Sequence, residues 1–211
     1  MPRPFDLSLY LITDVALIGE RDLLAVVGAA VEGGASIVQL RAPKAPVRRQ
    51  IEEARALKAL LTPRGIALVV NDRVDVALAA DADGVHLGQD DMAARDARAV
   101  LGPERIIGLS VGSPAEFAAS REEVAMVDYV GIGPVRATGT KSDAGGAIGV
   151  EGFEAVRRLI DKPAVAIGGL TVDIVPALST AGADGVAVIS AILGASDVKA
   201  AARGFREALG H

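Results

Sequence analysis

Two patterns alternate along the chain. The first is a short apolar run rich in Val and Ile, recurring at 8–12, 36–40, 66–70, 84–87, 106–109, 129–132, 164–167 and 185–189. Near-continuous apolarity at this length predicts parallel strands buried on both faces. The second pattern has helical spacing. Ile51, Ala54, Leu57 and Leu61 fall on one helix face, with Arg48, Glu52, Arg55 and Lys58 around the rest, and Leu23, Val27, Ala30 and Val31 behave alike. Asp22, Asp72, Ser113, and Thr171 or Asp173, stand where N-terminal caps are expected.

Strict alternation of the two patterns, without a linker, predicts an α/β fold: one compact (β/α)8 barrel of the TIM type, its strands parallel, filling 1–211 as a single domain. An open doubly wound sheet is the alternative, and the number of units packed into 211 residues favours closure. Such barrels usually take about 250 residues and seldom fewer than about 200, so the connections here are short. One echo joins the halves: Ala82-Asp83-Gly84-Val85 and Ala183-Asp184-Gly185-Val186. A duplicated half-barrel and a recurrent helix-to-strand turn explain it equally well.

Composition narrows the function classes. Hydrophobic residues make up 51% of the chain, enough for a large core. The net charge is -5, from 22 basic and 27 acidic residues that are intermixed, and aromatics are 3%. Neither a phosphate-neutralising basic patch nor a stacking platform is present, which argues against nucleic-acid binding. With no cysteine, disulfides, thiolate catalysis and Cys-ligated metal are excluded. No apolar run reaches membrane-spanning length and the N-terminus lacks a signal-peptide core, so a cytoplasmic protein that binds no membrane is expected. A homo-oligomer stays open.

In a parallel barrel the chemistry gathers at the C-terminal ends of the strands. There the chain carries Thr13-Asp14, Gln39 and Arg41, Asn71 and Asp72, then His86 with Gln89, Asp90 and Asp91, then Ser110. The sixth strand leads into Arg136 and the glycine-rich stretch 138–149, the seventh into Gly168-Gly169, and the eighth into Ile189-Ser190. Glycines after the seventh strand let backbone N–H groups approach an anion, the usual phosphate position in these barrels. Asp72 and Asp91, on neighbouring loops and facing Arg41 and Lys141, suit Mg²⁺ completed by substrate phosphate oxygens. The stretch around Thr138, Thr140 and Lys141 reads as a lid whose lysine adds a point charge. His86 reads equally as a general base or a satisfied core histidine and stays outside the catalytic set, as does Arg136.

These residues fall in stretches that resemble one family, the thiamine-phosphate synthases. The stretches are Gln39-Leu40-Arg41, Val70-Asn71-Asp72-Arg73-Val74-Asp75-Val76-Ala77, Gly84-Val85-His86-Leu87-Gly88-Gln89-Asp90-Asp91 and Gly108-Leu109-Ser110. Tyr129-Val130-Gly131-Ile132-Gly133-Pro134, Thr138-Gly139-Thr140-Lys141, Ile167-Gly168-Gly169-Leu170 and Gly182-Ala183-Asp184-Gly185-Val186-Ala187-Val188-Ile189-Ser190 follow in order over nearly the whole chain. The resemblance implies a transferase that joins a hydroxymethylpyrimidine diphosphate to a thiazole phosphate, releasing diphosphate. It also implies Mg²⁺ on Asp72 and Asp91, and phosphorylated small molecules as partners. Arg41, Ser110 and Lys141 would be catalytic. Substrate contacts would come from Gln39, Arg41, Asn71, Ser110, Thr138, Thr140, Lys141, Gly169, Ile189 and Ser190.

The implied chemistry needs no general base, because the thiazole nitrogen attacks with its own lone pair, and the rim shows no evident nucleophile-base pair. The sequence departs from the family pattern at Pro43, where a lysine is usual and Lys44 stands one position on. It departs again at Gly112, often His or Lys, and at Ala137, usually Pro. The related thiazole tautomerases are the nearest alternative, but they use a histidine where Gly112 stands and generally lack the two carboxylates.

Overall fold

The computed structural model describes residues 5–137 and 146–210. Its strands are β1 (Leu9–Ile12), β2 (Ile37–Leu40), β3 (Ala67–Asn71), β4 (Gly84–Leu87), β5 (Ile106–Val111), β6 (Tyr129–Ile132), β7 (Ala164–Ile167) and β8 (Gly185–Val188). Each pairs in parallel with its neighbours in sequence, and β8 pairs back onto β1 to close the barrel. The expected barrel is therefore observed, and strand ends agree with the apolar runs to within two residues. The largest difference is β5, which extends to Val111 and carries Ser110 inside the strand.

The helices are α1 (Val15–Ile18), α2 (Leu23–Glu32), α3 (Val47–Leu61), α4 (Val74–Ala79), α5 (Ala94–Leu101), α6 (Pro114–Ala119), α7 (Arg121–Met126), α8 (Gly149–Arg157), α9 (Val175–Thr180), α10 (Ser190–Leu193) and α11 (Val198–Ala208). On α3 the face predicted by spacing is the face that is buried: Ala54, Leu57 and Leu61 are inside, whereas Arg48, Glu52 and Arg55 are exposed. Asp22 and Ser113 cap as expected, accepting from the backbone N–H of Ala25 and Glu116. Asp72 does not: the cap position of α4 falls on Arg73, with no side-chain cap bond. Nor does Thr171 cap; with Asp173 it binds Arg136.

Strand side chains alternate between two cores. Leu9, Leu11, Val38, Leu40, Leu68, Val70, Val85, Leu87, Ile107 and Leu109 point outward and pack under the helices. Tyr10, Ile12, Ile37, Val69, Ile106, Tyr129, Val165 and Ala187 point inward and fill the barrel. Residues an even number of positions from these on the same strand share the interior, which includes Gln39, Asn71 and Ser110, and on β4 His86 lies between the outward Val85 and Leu87 and so faces inward as well. Four polar side chains thus enter the upper layers of an otherwise apolar barrel.

The lower rim is stapled. The residue preceding each even strand (Ser36, Asp83, Asp128, Asp184) accepts from the backbone N–H of the preceding strand, at Leu9, Leu68, Ile107 and Ala164, over 3.0, 2.8, 2.8 and 2.8 Å. Its own N–H donates back to the carbonyl of the same residue. The three aspartates also meet Lys58, Arg98 and Arg157 from the helix layer. The Ala-Asp-Gly-Val echo is two instances of this staple, so the recurrent turn accounts for it. Replacing Asp128 by Ala would strand the Ile107 N–H and take the carboxylate from the Arg98 guanidinium, which keeps the Gly102, Arg105 and Met126 carbonyls. The expected loss of stability in urea unfolding is about 2–3 kcal/mol, with little effect on events at the opposite rim.

Candidate active site

The upper rim assembles the predicted residues in strand order. Gln39 is the third residue of β2 and almost fully buried, and its amide Nε2 donates to the Tyr10 hydroxyl at 2.9 Å. Arg41 follows β2; its backbone N–H donates to the Thr13 hydroxyl at 3.0 Å, and its Nη1 pairs with the Asp14 carboxylate at 3.2 Å. Asp14 is itself held by capping α1 through Ala16 and Leu17. Sequence reading placed Thr13 and Asp14 on the rim but gave them no task; here they fix both ends of Arg41. Lys44 is exposed, in the turn between β2 and α3.

Asn71 ends β3 beside His86 of β4. The next residue, Asp72, has φ of 60°. The Asn71 carbonyl accepts from Arg73 N–H at 2.7 Å across it, a tight γ-turn, and the Asp72 N–H donates to the His86 carbonyl at 2.8 Å. Positive φ on a residue other than glycine costs about 1–2 kcal/mol, and such strain concentrates at functional positions. Since Asp72 caps no helix, capping no longer competes as the explanation for this residue. Asp91 lies in the exposed loop after β4 and closes it, its Oδ2 accepting from Gly88 N–H at 2.6 Å. Among the described residues no cluster of three or more His, Asp or Glu side chains could cage a metal. The oxygen-only pair Asp72 and Asp91, on adjacent loops, fits a hard divalent ion that keeps water or phosphate oxygens as its other ligands.

At β5, Ser110 places its hydroxyl 3.0 Å from Nε2 of His86, and its carbonyl accepts from the Gln89 amide at 2.6 Å. A serine and a histidine thus touch on a rim where the sequence alone showed no evident nucleophile-base pair. They are 24 residues apart in sequence and meet only because neighbouring parallel strands bring the same inward parity side by side. The other imidazole nitrogen, Nδ1, lies 2.9 Å from the Tyr129 hydroxyl. His86 is thus a buried histidine with both nitrogens engaged, and it also touches a candidate site residue. Gly112 donates its N–H to Glu116, and a side chain there would strike the Gly133 carbonyl, so no histidine occupies this position.

Across the barrel, Gly168, Gly169, Leu170, Val188, Ile189, Ser190 and Ala191 line a small cavity between the ends of β7 and β8. This is where the sequence pointed for a monophosphate. Gly168 and Gly169 have φ of 98° and 60°. A Cβ on Gly168 would lie 2.5 Å from that of Pro134, and one on Gly169 would lie 2.7 Å from the Ala137 carbonyl. The pair is required both for its turn and for the loop that crosses it. Arg136, uncommitted from sequence, is fastened to Thr171 and to Asp173 at 2.9 Å. Its guanidinium holds the Asp173 carboxyl below the ordinary carboxylate range. Thr138, Thr140 and Lys141 lie outside the described residues.

Residues 9–192 match the family model described as thiamine monophosphate synthase. The chain is similar to a thiamine-phosphate synthase of Xanthobacter autotrophicus, 64% identical over 99% of this chain and 98% of that one. A thiamine-phosphate synthase of Azorhizobium caulinodans is 59% identical over 96% and 95% of the two chains. Among solved structures, a thiamine phosphate pyrophosphorylase of Pyrococcus furiosus superposes with a TM-score of 0.86 at 39% identity, covering 97% of this chain and 96% of that one.

Proposed function

The chain belongs to the thiamine monophosphate synthase family, and from that premise we propose that it joins a hydroxymethylpyrimidine diphosphate to a thiazole phosphate. It is a transferase of thiamine biosynthesis. The observation that carries the substrate assignment is the division of one rim into two polar sites. Gln39, Arg41, Asn71, Asp72, Asp91 and Ser110 gather over β2 to β5, and a glycine-lined cavity opens between β7 and β8. One phosphate cradle would serve many barrels; two anion sites suit the joining of two phosphorylated substrates.

The chemistry follows from the substrates and the side chains. The bond between the pyrimidine methylene carbon and the diphosphate oxygen breaks, and the electron pair leaves with diphosphate. The aminopyrimidine delocalises the positive charge left on the methylene, and the thiazole nitrogen then forms the new C–N bond with its own lone pair. Charge therefore accumulates on the departing diphosphate, and the groups worth most are those aimed at it. Arg41, held by Asp14 and Thr13, supplies a fixed cation, and Ser110 supplies a hydroxyl. Lys141, outside the described residues, is assigned the same task from its sequence context. Asp72 and Asp91 would hold Mg²⁺, which neutralises diphosphate charge as a Lewis acid when bound. Asn71 and Gln39, on the inward parity of their strands, are suited to the pyrimidine. The backbone at Gly169, Ile189 and Ser190 is suited to the thiazole phosphate.

Incubating the protein with both substrates and Mg²⁺ should yield thiamine phosphate and diphosphate in equal amounts, read by chromatography. Thiazole tautomer conversion without that product would overturn the assignment. The absence of a histidine at position 112 argues against that outcome.

A further inference from the structure

A continuous run of hydrogen bonds crosses the barrel interior. The Gln39 amide donates to Tyr10 Oη at 2.9 Å; Tyr10 Oη and Tyr129 Oη are 2.8 Å apart; Tyr129 Oη and His86 Nδ1 are 2.9 Å apart; His86 Nε2 and Ser110 Oγ are 3.0 Å apart. The chain contains only two tyrosines, and both hydroxyls are spent here. Space has been cleared for the run: a Cβ on Gly108 would fall 2.5 Å from His86 Nδ1 and closer still to the Tyr129 phenol, and one on Gly131 would press on the imidazole at 3.3 Å. The tyrosine rings meet edge to face at 5.8 Å, which sets the angle of their hydroxyls.

The direction of the run can be worked out by counting protons. Burial pushes both phenols well above their ordinary range, so each keeps its single proton. Tyr10 accepts from Gln39, and both tyrosines are fully buried. If Tyr129 also donated to Tyr10, the Tyr10 proton would have no acceptor in this run, an arrangement that costs about 1–3 kcal/mol for a buried donor. The arrangement that satisfies every group runs one way: Tyr10 donates to Tyr129, and Tyr129 donates to His86 Nδ1. An accepting Nδ1 places the imidazole proton on Nε2, which then donates to Ser110 Oγ.

Resting on the transferase reading above, we infer that His86 is a positioning residue that makes Ser110 a fixed hydrogen-bond donor to an anionic substrate oxygen. With one of its lone pairs occupied by Nε2–H, the serine hydroxyl cannot donate back to that nitrogen and turns its own proton outward into the site. The same contact keeps His86 from acting as a base toward Ser110, so the serine-histidine pair is not an activated nucleophile. Tyr10 and Tyr129 act one step further back by fixing the imidazole tautomer. A donor matches departing diphosphate, whose oxygens only accept.

The test uses the full-length protein, steady-state formation of thiamine phosphate, and thermal melts of every variant. Tyr129→Phe keeps the ring and removes the donor to Nδ1; kcat should fall about tenfold, the worth of one good hydrogen bond, with KM for either substrate little changed. In a Ser110→Ala background the same substitution should have no further effect, because the residue it acts through is gone. His86→Gln, whose amide can present an N–H near the position of Nε2, should retain more activity than His86→Leu. Equal losses from Tyr129→Phe with and without Ser110 would overturn the inference, as would wild-type kcat in Tyr129→Phe. Should Tyr129→Phe melt below the assay temperature, the two His86 variants decide, and equal activity in them overturns it. A wild-type protein that makes no thiamine phosphate would instead sink the transferase reading, and this inference with it.

Discussion

Replacing Asp91 by Asn is expected to lower turnover about 100-fold at fixed Mg²⁺, the range seen when one group aimed at developing transition-state charge is removed. The substitution is nearly isosteric. Asp91 Oδ2 accepts from the Gly88 N–H at 2.6 Å, and an amide carbonyl can accept the same bond, so the loop keeps its form. What changes is charge. On the proposed assignment the protein offers Mg²⁺ the carboxylates of Asp72 and Asp91, so removing one would leave a single protein carboxylate beside the phosphate oxygens, and a hard, strongly hydrated cation discriminates sharply on that count. Raising Mg²⁺ should therefore recover part of the rate, with the half-maximal concentration shifted upward. Rates indistinguishable from wild type at low Mg²⁺ would take Asp91 out of the metal site.

Substituting Ala for Gly169 is the second large effect, and it separates the two anion sites. At φ of 60° an alanine is already strained, and its Cβ would stand 2.7 Å from the Ala137 carbonyl and 2.8 Å from Arg136 Cβ. Backbone rather than a yielding side-chain tip opposes the new methyl, so the turn must shift. A shift of that kind moves the N–H groups lining the β7–β8 cavity. Losing one hydrogen bond to a charged group costs about 1.5–3 kcal/mol, or roughly 10–100-fold in affinity for thiazole phosphate. KM for the pyrimidine diphosphate should change little, because that substrate is assigned to the other side of the rim. An equal rise in both KM values would show that the barrel offers one shared anion site.

Much of this was legible in the order of residues. Val, Ile and Leu in eight short runs can bury both faces of a parallel strand, and that signal is local, so strand positions were readable to within two residues. The rim residues were readable for the same reason, since each lies near or just after the C-terminal end of a strand that had already been placed. Asp72 was harder. Its residue type suited capping as well as metal binding, and the cap position at Arg73, without a side-chain cap bond, removes the first of those readings. Arg41 was found, while the Asp14 and Thr13 contacts that hold it were not, because they lie 27 and 28 residues upstream on another loop.

The sequence by itself determined the barrel, its candidate rim and the residue types offered there, since apolar period and strand order are encoded within each unit. The tertiary structure alone decided which of those residues touch. Tyr10 and Tyr129 are 119 positions apart and meet because closure joins β1 to β8 and the pleat turns both inward. His86 was ambiguous as a lone letter. Register with β5 and β6, and the space left by Gly108 and Gly131, give it Tyr129 on one nitrogen and Ser110 on the other. Register and closure are long-range properties, and the polar run through the barrel exists only once both are set.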